Sequence, residues 1–342
     1  MNKYDVIIVG AGPAGLRCAK ILSNSSLSVL LLEKGDTFGD KVCAGGLTRK
    51  DLGVIDIPDH IIEHKVTQTA IFSRKRASIN NAPEPIVFTL KREDLGRWQR
   101  EQINRTNFKF RINAKVTDIK SDYVIVNDHE KINYTFLVGA DGYASIVRKY
   151  LKIPQEKQLI GIQYTVPEPN LDPRLEIHLY SKYFKSWYAW VFPHENSFVV
   201  GCVCDPKMMS AKKLKDNFHA WLKEKGISIE NAVYHSAPIS YDYRGYKFGN
   251  VFLVGEAGGF ASGLTGEGIY QSLVSGEVAA NTILDHDYIS EEMNSVIRYN
   301  AIQLNIMKFL YRSGIFRKYI YELIVILMNN QRVKNKIHSS FS

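Results

Sequence analysis

Cysteine is scarce in this chain of 342 residues. Its four cysteines, Cys18, Cys43, Cys202 and Cys204, are too few for a disulfide scaffold and contain no CxxC pair, which favours a reducing compartment and argues against structural zinc. Apolar runs long enough to span a membrane are also lacking: the most apolar late run covers only residues 323–328, whereas a membrane-spanning helix needs about 20 residues. The first residues lack the apolar core and cleavage site of a signal peptide. We therefore predict a cytoplasmic protein that is either soluble or held on the inner face of a membrane.

Several catalytic and binding signatures are absent as well. The nine histidines show no metal-ligand spacing, and no Ser/His/Asp grouping of a hydrolase can be argued from the sequence. The formal net charge of +9 suits an anionic partner. However, the sequence has no run of basic residues that alternates with aromatic residues as in nucleic-acid-binding proteins. We predict no metal site and no nucleic-acid partner.

What the chain does contain is an α/β pattern. Residues 6–9 are a continuous apolar run, typical of a parallel strand buried on both faces, and residues 28–32 are predicted to be a second buried strand. Residues 14–22 between them have helical apolar spacing. The buried-strand pattern returns at 136–141 and 251–256. In the middle of the chain, apolar and polar residues alternate, as they do in antiparallel strands with one solvent-exposed face. The sequence predicts a discontinuous parallel-sheet domain (1–65, 89–150 and 245–290), an inserted antiparallel β-rich substrate domain (66–88 and 151–244) and a helical C-terminal region (291–342).

The first chemical motif is a glycine-rich turn that joins the first strand to the first helix. Gly10, Gly12 and Gly15 form GxGxxG, which permits a tight turn, close approach of the backbone to a pyrophosphate, and close packing of helix and strand. The helix N-terminus offers free N–H groups to the phosphates. Glu33, at the end of the second strand, can accept hydrogen bonds from ribose hydroxyls and would repel a 2′-phosphate. These residues predict an adenine dinucleotide other than NADP.

A second glycine-rich strand-to-helix junction lies far along the chain, at residues 255–269. Two junctions so far apart indicate a ligand long enough to touch both, which favours FAD over NAD. Glu256 can bind a ribityl hydroxyl. The turn at Gly266 and Gly268 aims a helix N-terminus at the flavin N1–C2=O edge, where reduced flavin carries negative charge. The predicted cofactor is FAD.

Further motifs carry a resemblance to known flavoproteins. Asp141-Gly142 ends a buried strand, and Ser145 and Arg148 follow at helical spacing. With the two glycine-rich junctions, this motif resembles the glutathione-reductase-type FAD fold, in the branch without a separate nicotinamide domain. Residues 41–47 (KVCAGGL) and 187–193 (WYAWVFP) resemble segments of the geranylgeranyl reductase family, flavoenzymes that saturate double bonds in isoprenoid chains.

The resemblance implies a function and a set of site residues. Reduced FAD would deliver hydride to a carbon–carbon double bond of an isoprenoid lipid, with NAD(P)H or a reduced carrier protein as electron donor. The substrate would lie against Tyr188, Trp190, Phe192 and Pro193. Together with the motif residues, the predicted cofactor site consists of Gly10, Gly12, Ala14, Gly15, Glu33, Lys34, Cys43, Ala44, Gly46, Arg92, the backbone of Val116, Asp141, Gly255, Glu256, Gly266, Gly268 and Ile269.

The chain departs from the family pattern at a few positions. Glu256 stands where the family has aspartate, so the longer carboxylate must retract by one methylene to bind the same ribityl oxygen. Leu264 and Lys185 occupy positions where proline is usual, and Gly96 replaces the aspartate that follows Arg92 in the motif.

For two groups of residues, the sequence is consistent with two different roles. Because side chains alternate along a strand, Tyr188, Trp190 and Phe192 share one face, where they form either a wall for a hydrocarbon chain or part of an ordinary core. Cys43 either protonates the substrate carbon opposite the hydride or packs beside the flavin ring. The other three cysteines are predicted to be core residues.

The tail, residues 299–337, combines long apolar runs with cations that only Glu322 opposes. This pattern suits helices at a membrane interface and equally helices that close the substrate domain. The cations outside the apolar runs are Arg312, Arg317, Lys318, Arg332, Lys334 and Lys336.

Three other functions share part of the pattern. A flavin-dependent monooxygenase acting on a hydrophobic or aromatic substrate has the same Asp-Gly and Gly-Asp motifs. A flavin-dependent halogenase carries a WxWxIP segment similar to residues 188–193. A peripheral lipid-binding protein could keep flavin in a structural role only.

Overall fold

The computed structural model of the chain describes residues 3–104, 106–167 and 173–330, so Arg332, Lys334 and Lys336 of the predicted basic tail lie outside the described residues. The strands, in chain order, are β1 (Lys3–Val9), β2 (Val29–Leu32), β3 (Gly46–Thr48), β4 (His64–Val66), β5 (Gln68–Phe72), β6 (Ala77–Asn81), β7 (Val87–Thr89), β8 (Phe108–Arg111), β9 (Val116–Ile119), β10 (Tyr123–Val126), β11 (Glu130–Gly139), β12 (Gln158–Pro167), β13 (Leu175–His178), β14 (Ala189–Pro193), β15 (Ser197–Cys204), β16 (Val233–Ser240), β17 (Lys247–Phe248) and β18 (Val251–Leu253). The helices are α1 (Pro13–Leu22), α2 (Arg49–Val54), α3 (Arg92–Glu101), α4 (Ile146–Tyr150), α5 (Ser181–Phe184), α6 (Ala211–Lys225), α7 (Ile269–Leu284), α8 (Glu291–Arg312) and α9 (Arg317–Met328), with 3₁₀ turns at Asp59–Ile61 and Gly314–Phe316.

The largest sheet is built around β1. Its central order is β17-β18-β11-β1-β2-β8, in which β18, β11, β1, β2 and β8 run parallel, and β9, β10 and β17 pair antiparallel. Along β1, Val6 and Ile8 pack against α1 and α7, whereas Ile7 and Val9 pack against β9, β10 and α4. Both faces of the strand are therefore covered, which explains its continuous apolar run.

Close backbone contacts bring the two glycine-rich junctions together. Gly10 has a φ of +102°, a conformation that favours glycine, and Pro13 opens α1 directly after the turn. Helix α1 packs on α7 so closely that a Cβ at Gly276 would overlap the carbonyl oxygen of Ala14. Only β11 separates β1 from β18 in the sheet. The turns that follow these two strands consequently lie side by side at one edge of the sheet.

The second sheet has seven strands in the order β16-β12-β15-β14-β13-β5-β6. Its pairs are antiparallel as predicted, except that β5 and β13 run parallel, with Leu175 opposite Thr69. An alternating pattern indicates which face of a strand is buried but not the direction of its neighbour, and β5 and β13 are far apart in the chain. Helix α6 covers this sheet through Phe218 and Trp221. The division of the chain into domains remains a prediction.

The remaining elements complete the surroundings of the site. A three-stranded sheet in the order β3-β7-β4 follows the loop that contains Cys43. Helix α9 is attached to the rest of the protein by Asn329, whose amide donates to the Ala77 carbonyl at 3.1 Å, and by Tyr321, which is buried. None of the helices in the described ranges combines the length and apolarity needed to cross a bilayer. Cys18, Cys202 and Cys204 are buried in the cores, as predicted.

Candidate functional site

A cavity of about 1230 Å³ lies at the carboxyl ends of β1, β2 and β11. Both glycine-rich junctions line it, as do the aromatic segment and the loop with Cys43. Of the predicted cofactor and substrate residues, all but Gly15 and Pro193 line this cavity; those that do are Gly10, Gly12, Ala14, Glu33, Lys34, Cys43, Ala44, Gly46, Arg92, Val116, Asp141, Tyr188, Trp190, Phe192, Gly255, Glu256, Gly266, Gly268 and Ile269. Their individual roles remain predictions.

The two residues outside the lining have packing roles. A Cβ at Gly15 would overlap the carbonyl oxygen of Gly10, so the absence of a side chain lets α1 lie close to the turn. Pro193 ends β14, and its carbonyl accepts a hydrogen bond of 2.7 Å from the buried hydroxyl of Thr89. These two residues therefore support the packing around the cavity without lining it.

The first turn has the geometry expected for a nucleotide. Gly12 is the N-cap of α1 in an extended conformation, and a Cβ there would meet no atom within 4 Å, so its backbone is open towards the cavity. The Glu33 carboxylate accepts hydrogen bonds from the N–H groups of Ala11, at 2.7 Å, and Gly35, at 2.9 Å. These bonds hold the carboxylate at the end of β2, where a ribose can reach it.

The second junction offers polar atoms that lack partners. Glu256 forms an ion pair with Lys41 through Oε1, while its Oε2 is buried and has no hydrogen-bond partner among the described residues. Nε of Arg92 is likewise buried without a partner there. An unpaired buried acceptor costs free energy unless a ligand satisfies it, and a ribityl hydroxyl is a suitable donor. The residues present therefore fit FAD at this end of the cavity.

The Asp141 motif orders the loop between the two junctions. The Asp141 carboxylate accepts hydrogen bonds from the Ser145 hydroxyl, at 2.6 Å, and from the Ile146 N–H, at 2.7 Å, and so holds the start of α4. Arg148, only 3% exposed, donates to the carbonyls of Ala257, at 3.1 Å, and Asp242, at 2.8 Å. This arginine ties α4 to the chain before β17 and after β18.

The aromatic segment forms a fixed wall of the cavity. The Tyr188 and Trp190 rings have centroids 5.9 Å apart, and the Tyr188 hydroxyl donates to the Thr265 carbonyl in the second junction. A Cβ at Gly201 would overlap the Trp190 ring, and a Cβ at Gly46 would overlap the Phe192 ring. Glycine is therefore required opposite both rings if they are to keep these positions.

The loop that contains Cys43 is held from distant parts of the chain. Its sulfur accepts from the Gly45 N–H at 3.4 Å, and its carbonyl accepts from the Gln163 side chain at 3.0 Å. His194 Nε2 contacts the Ala44 carbonyl at 3.0 Å, and its Nδ1 lies 2.6 Å from Glu63. Sequence reasoning missed Gln163 and His194 because their partners are 120 and 150 residues away in the chain.

Two carboxyl groups of the cavity were not predicted as site residues. Asp51, 2% exposed, accepts from the N–H and hydroxyl of Thr48 at 2.7 and 2.9 Å, and its Oδ1 is buried without a partner in the described part of the chain. Burial raises the pKa of Asp51 to about 6 despite these hydrogen bonds. Burial also raises the pKa of Glu267 to about 7, and the charge of Asp51 adds to this shift. For Glu267, the only signal in the sequence was its position between two glycines, Gly266 and Gly268.

Comparisons with known proteins show the family to which the chain belongs. A family model described as an FAD-binding domain matches residues 3–273. The geranylgeranyl diphosphate reductase of Rhodobacter capsulatus is 27% identical over 300 residues, which covers 82% of this chain and 75% of that protein. The digeranylgeranylglycerophospholipid reductase of Methanosarcina acetivorans is 25% identical over 321 residues, covering 86% of this chain and 79% of that protein.

A solved structure shows the same fold. A geranylgeranyl bacteriochlorophyll reductase-like protein of Thermoplasma acidophilum superposes with a TM-score of 0.80 at 19% sequence identity, covering 97% of this chain and 92% of that one. The predictions of an α/β flavoprotein fold and of FAD as the cofactor are thereby confirmed.

Proposed function

The chain belongs to the FAD-binding domain family of flavin-dependent oxidoreductases, and from that premise we propose that it reduces carbon–carbon double bonds in isoprenoid chains of the geranylgeranyl type. One observation carries the proposal: the aromatic wall of Tyr188, Trp190 and Phe192 lines the same cavity as both glycine-rich junctions. A hydrocarbon bound on the wall would therefore share a cavity with the cofactor. The names of the two reductase relatives support the same substrate class.

The wall suits a hydrocarbon because it recognises area and shape rather than polar groups. Each Å² of apolar surface removed from water contributes about 25 cal/mol, so a chain of several isoprene units can bind without directed polar contacts. The Tyr188 hydroxyl is already used in its bond to Thr265, and Trp190 is only 8% exposed. Both rings are held before a substrate arrives, which lowers the entropic cost of placing a double bond.

The cofactor and the protein have separate tasks in this proposal. FAD supplies a two-electron carrier that can pass hydride to an alkene carbon. The N-terminus of α1 would hold the pyrophosphate, Glu33 the adenosine ribose and Glu256 the ribityl chain. The Cys43 thiol, which lines the cavity, is a candidate for the proton donor.

The electron donor that we propose is NAD(P)H or a reduced carrier protein, in the cytoplasm. Anaerobic mixing of the FAD-loaded protein with NADH, NADPH or a reduced ferredoxin, followed by flavin absorbance, tests this. Bleaching by one of these donors supports the proposal, and a flavin that only dithionite reduces contradicts it.

We further propose that the C-terminal helices rest on an anionic membrane surface. Ile315, Phe316 and Tyr319 expose 79%, 64% and 62% of their surface around the turn between α8 and α9. Lys308 and Lys318 are exposed on the same two helices, where they can meet lipid phosphates. An apolar substrate dissolved in the bilayer would then enter close to the protein.

Sedimentation with vesicles tests the membrane contact. The protein should sediment with vesicles that contain anionic phospholipid, and Phe316→Asp should weaken this by about tenfold, since it places a carboxylate in the interface. Ile289→Asp is the matched control, because Ile289 is 78% exposed and lies before the opposite end of α8. Equal sedimentation of Phe316→Asp and the control would overturn this part of the proposal.

The reaction itself is tested by anaerobic incubation of the dithionite-reduced protein with geranylgeranyl lipids of several head groups. The expected products are heavier by pairs of hydrogen atoms in mass spectrometry. Lipid that stays unchanged with every head group rejects the reductase. Oxygen-dependent products heavier by one oxygen atom would identify the monooxygenase alternative, and chloride-dependent products the halogenase. A bound flavin that cannot be reduced and reoxidised would favour the lipid-binding alternative.

A further inference from the structure

A second, smaller cavity adjoins the large one. It has a volume of about 250 Å³ and lies between α7, the first turns of α8 and the chain around Lys50. Thr48 and Glu267 line both cavities, so they stand at the boundary between them. Its lining includes polar side chains, among them Tyr270, whose hydroxyl donates to Glu292. The small cavity thus brings polar side chains up to its boundary with the large one.

Glu267 lies at this boundary between the two cavities, and its side chain ends in a carboxyl group. Its carbonyl accepts from the Ser262 N–H at 2.8 Å, and its N–H donates to the Thr265 hydroxyl at 3.3 Å, which fixes the backbone in the turn before α7. Within residues 3–104, 106–167 and 173–330, no hydrogen bond or ion pair engages the side chain of Glu267. The carboxyl is therefore available to a ligand or to water from either side.

The groups that face Glu267 determine its acidity. Those with charged or titratable side chains are Lys50 and Asp51 on α2, Tyr188 on the aromatic wall, Tyr270 on α7 and Glu292 on α8. Burial is the largest cause that raises the pKa of Glu267 to about 7; the charge of Asp51 also contributes to this rise, and Lys50 opposes it. A group of this acidity is protonated in about half of the molecules at neutral pH and can both release and regain its proton, which is what general acid catalysis requires.

We propose that Glu267 protonates the isoprenoid double bond and that the small cavity resupplies its proton from solvent, an inference that rests on the proposed reductase function. The alkene takes up one hydrogen as hydride, with its electron pair, from reduced FAD. It takes up the other as a proton when the O–H bond of Glu267 breaks and the carboxylate keeps that electron pair. Two C–H bonds form, FAD is oxidised by two electrons, and the carboxylate regains a proton from water.

Cys43 is the rival donor, and the two differ in access to protons. Glu267 lines a second cavity through which it can be reprotonated after each turnover, whereas Cys43 lines the large cavity alone. A substrate that fills the large cavity would cut Cys43 off from solvent but would leave Glu267 in contact with the small cavity. Repeated turnover therefore favours the carboxyl group.

Single-turnover kinetics of the FAD-loaded protein, reduced with dithionite and mixed anaerobically with a geranylgeranyl lipid, test the proposal. Glu267→Gln keeps the size and loses the proton, so saturation of the lipid should slow by about 100-fold or more. FAD binding and flavin reduction by dithionite should be unchanged. Glu291→Gln, at an exposed glutamate on the first turn of α8, is the matched control and should react at the wild-type rate. Cys43→Ser should slow the reaction by less than tenfold.

A spectroscopic titration of the same holoproteins gives a readout that does not depend on turnover. Infrared difference spectra should show a carboxyl group that titrates near neutral pH and is absent in Glu267→Gln. Its pKa should fall in Asp51→Asn, which removes a repelling charge, and rise in Lys50→Met, which removes an attracting one.

The outcomes of these experiments distinguish the role of Glu267 from the reductase activity itself. Wild-type turnover with an equally fast Glu267→Gln variant overturns the role of Glu267 while the reductase stands, and so does a loss confined to Cys43→Ser. No turnover by the wild-type protein overturns the reductase proposal and this inference with it. A carboxyl signal that is insensitive to both Asp51→Asn and Lys50→Met contradicts the boundary geometry.

Discussion

Replacing Gly12 with alanine should abolish tight FAD binding and leave the apoprotein folded. Gly12 has a φ of −77° and a ψ of 179°, which alanine adopts without strain, and its Cβ would meet no atom within 4 Å. Apoprotein stability should therefore change by less than about 1 kcal/mol, towards greater stability if at all, because alanine has less backbone entropy to lose on folding. The added methyl would occupy the space where a pyrophosphate meets the N–H groups of α1. We expect the FAD dissociation constant to rise at least about 100-fold, or ~2.7 kcal/mol.

Gly15→Ala is the contrasting variant. Its Cβ would overlap the Gly10 carbonyl oxygen, so this substitution should lower both apoprotein stability and FAD affinity. Urea unfolding of the two apoproteins and fluorescence titration with FAD measure the two quantities independently. Wild-type FAD affinity in Gly12→Ala would refute the assignment of this turn to the pyrophosphate. A destabilisation of Gly12→Ala as large as that of Gly15→Ala would refute the packing argument.

Three further variants test other contacts. Gly276→Val should destabilise the apoprotein by about 1–3 kcal/mol, because its Cβ would overlap the Ala14 carbonyl oxygen where α7 meets α1; an unchanged urea midpoint would speak against that contact. Glu256→Gln should weaken FAD binding by about tenfold, since a charged acceptor for the ribityl chain is lost, and calorimetry that finds equal affinity would remove Glu256 from the cofactor site. The raised pKa of Glu267 favours the folded state below the ordinary glutamate value of 4.5, and this contribution, at most about 3 kcal/mol, is lost as the pH rises to about 7. Thermal unfolding of apo Glu267→Gln should therefore depend less on pH between these values than wild type, and identical pH profiles would argue against the burial of this carboxyl.

The local parts of the fold and site can be predicted from the sequence because their signals are local. An apolar run followed by Gly10, Gly12 and Pro13 predicts a strand, a turn and a helix start within a few residues, and the structure contains β1 and α1 there. The second junction has the same kind of signal before α7. An extended dinucleotide must be held at both ends, so two such junctions in one chain predict that both turns line one cavity.

The long-range parts could not be predicted because no local signal encodes them. The parallel pairing of β5 with β13 depends on how distant segments meet in the sheet. The ion pair of Lys41 with Glu256 joins residues 215 apart, and the contacts of Gln163 and His194 with the Cys43 loop are similarly remote. Glu267 was visible in its motif, but its importance depends on a cavity formed by α2, α7 and α8 together.

In the proposed reaction, electrons pass from this protein's flavin directly to an isoprenoid double bond. The most direct measurement is flavin absorbance after the reduced FAD-loaded protein is mixed with a geranylgeranyl lipid in the strict absence of oxygen. We predict that the oxidised spectrum returns, with one flavin reoxidised for each double bond that is saturated. A flavin that stays reduced beside the lipid and is reoxidised only when air is admitted would contradict direct electron transfer to the double bond.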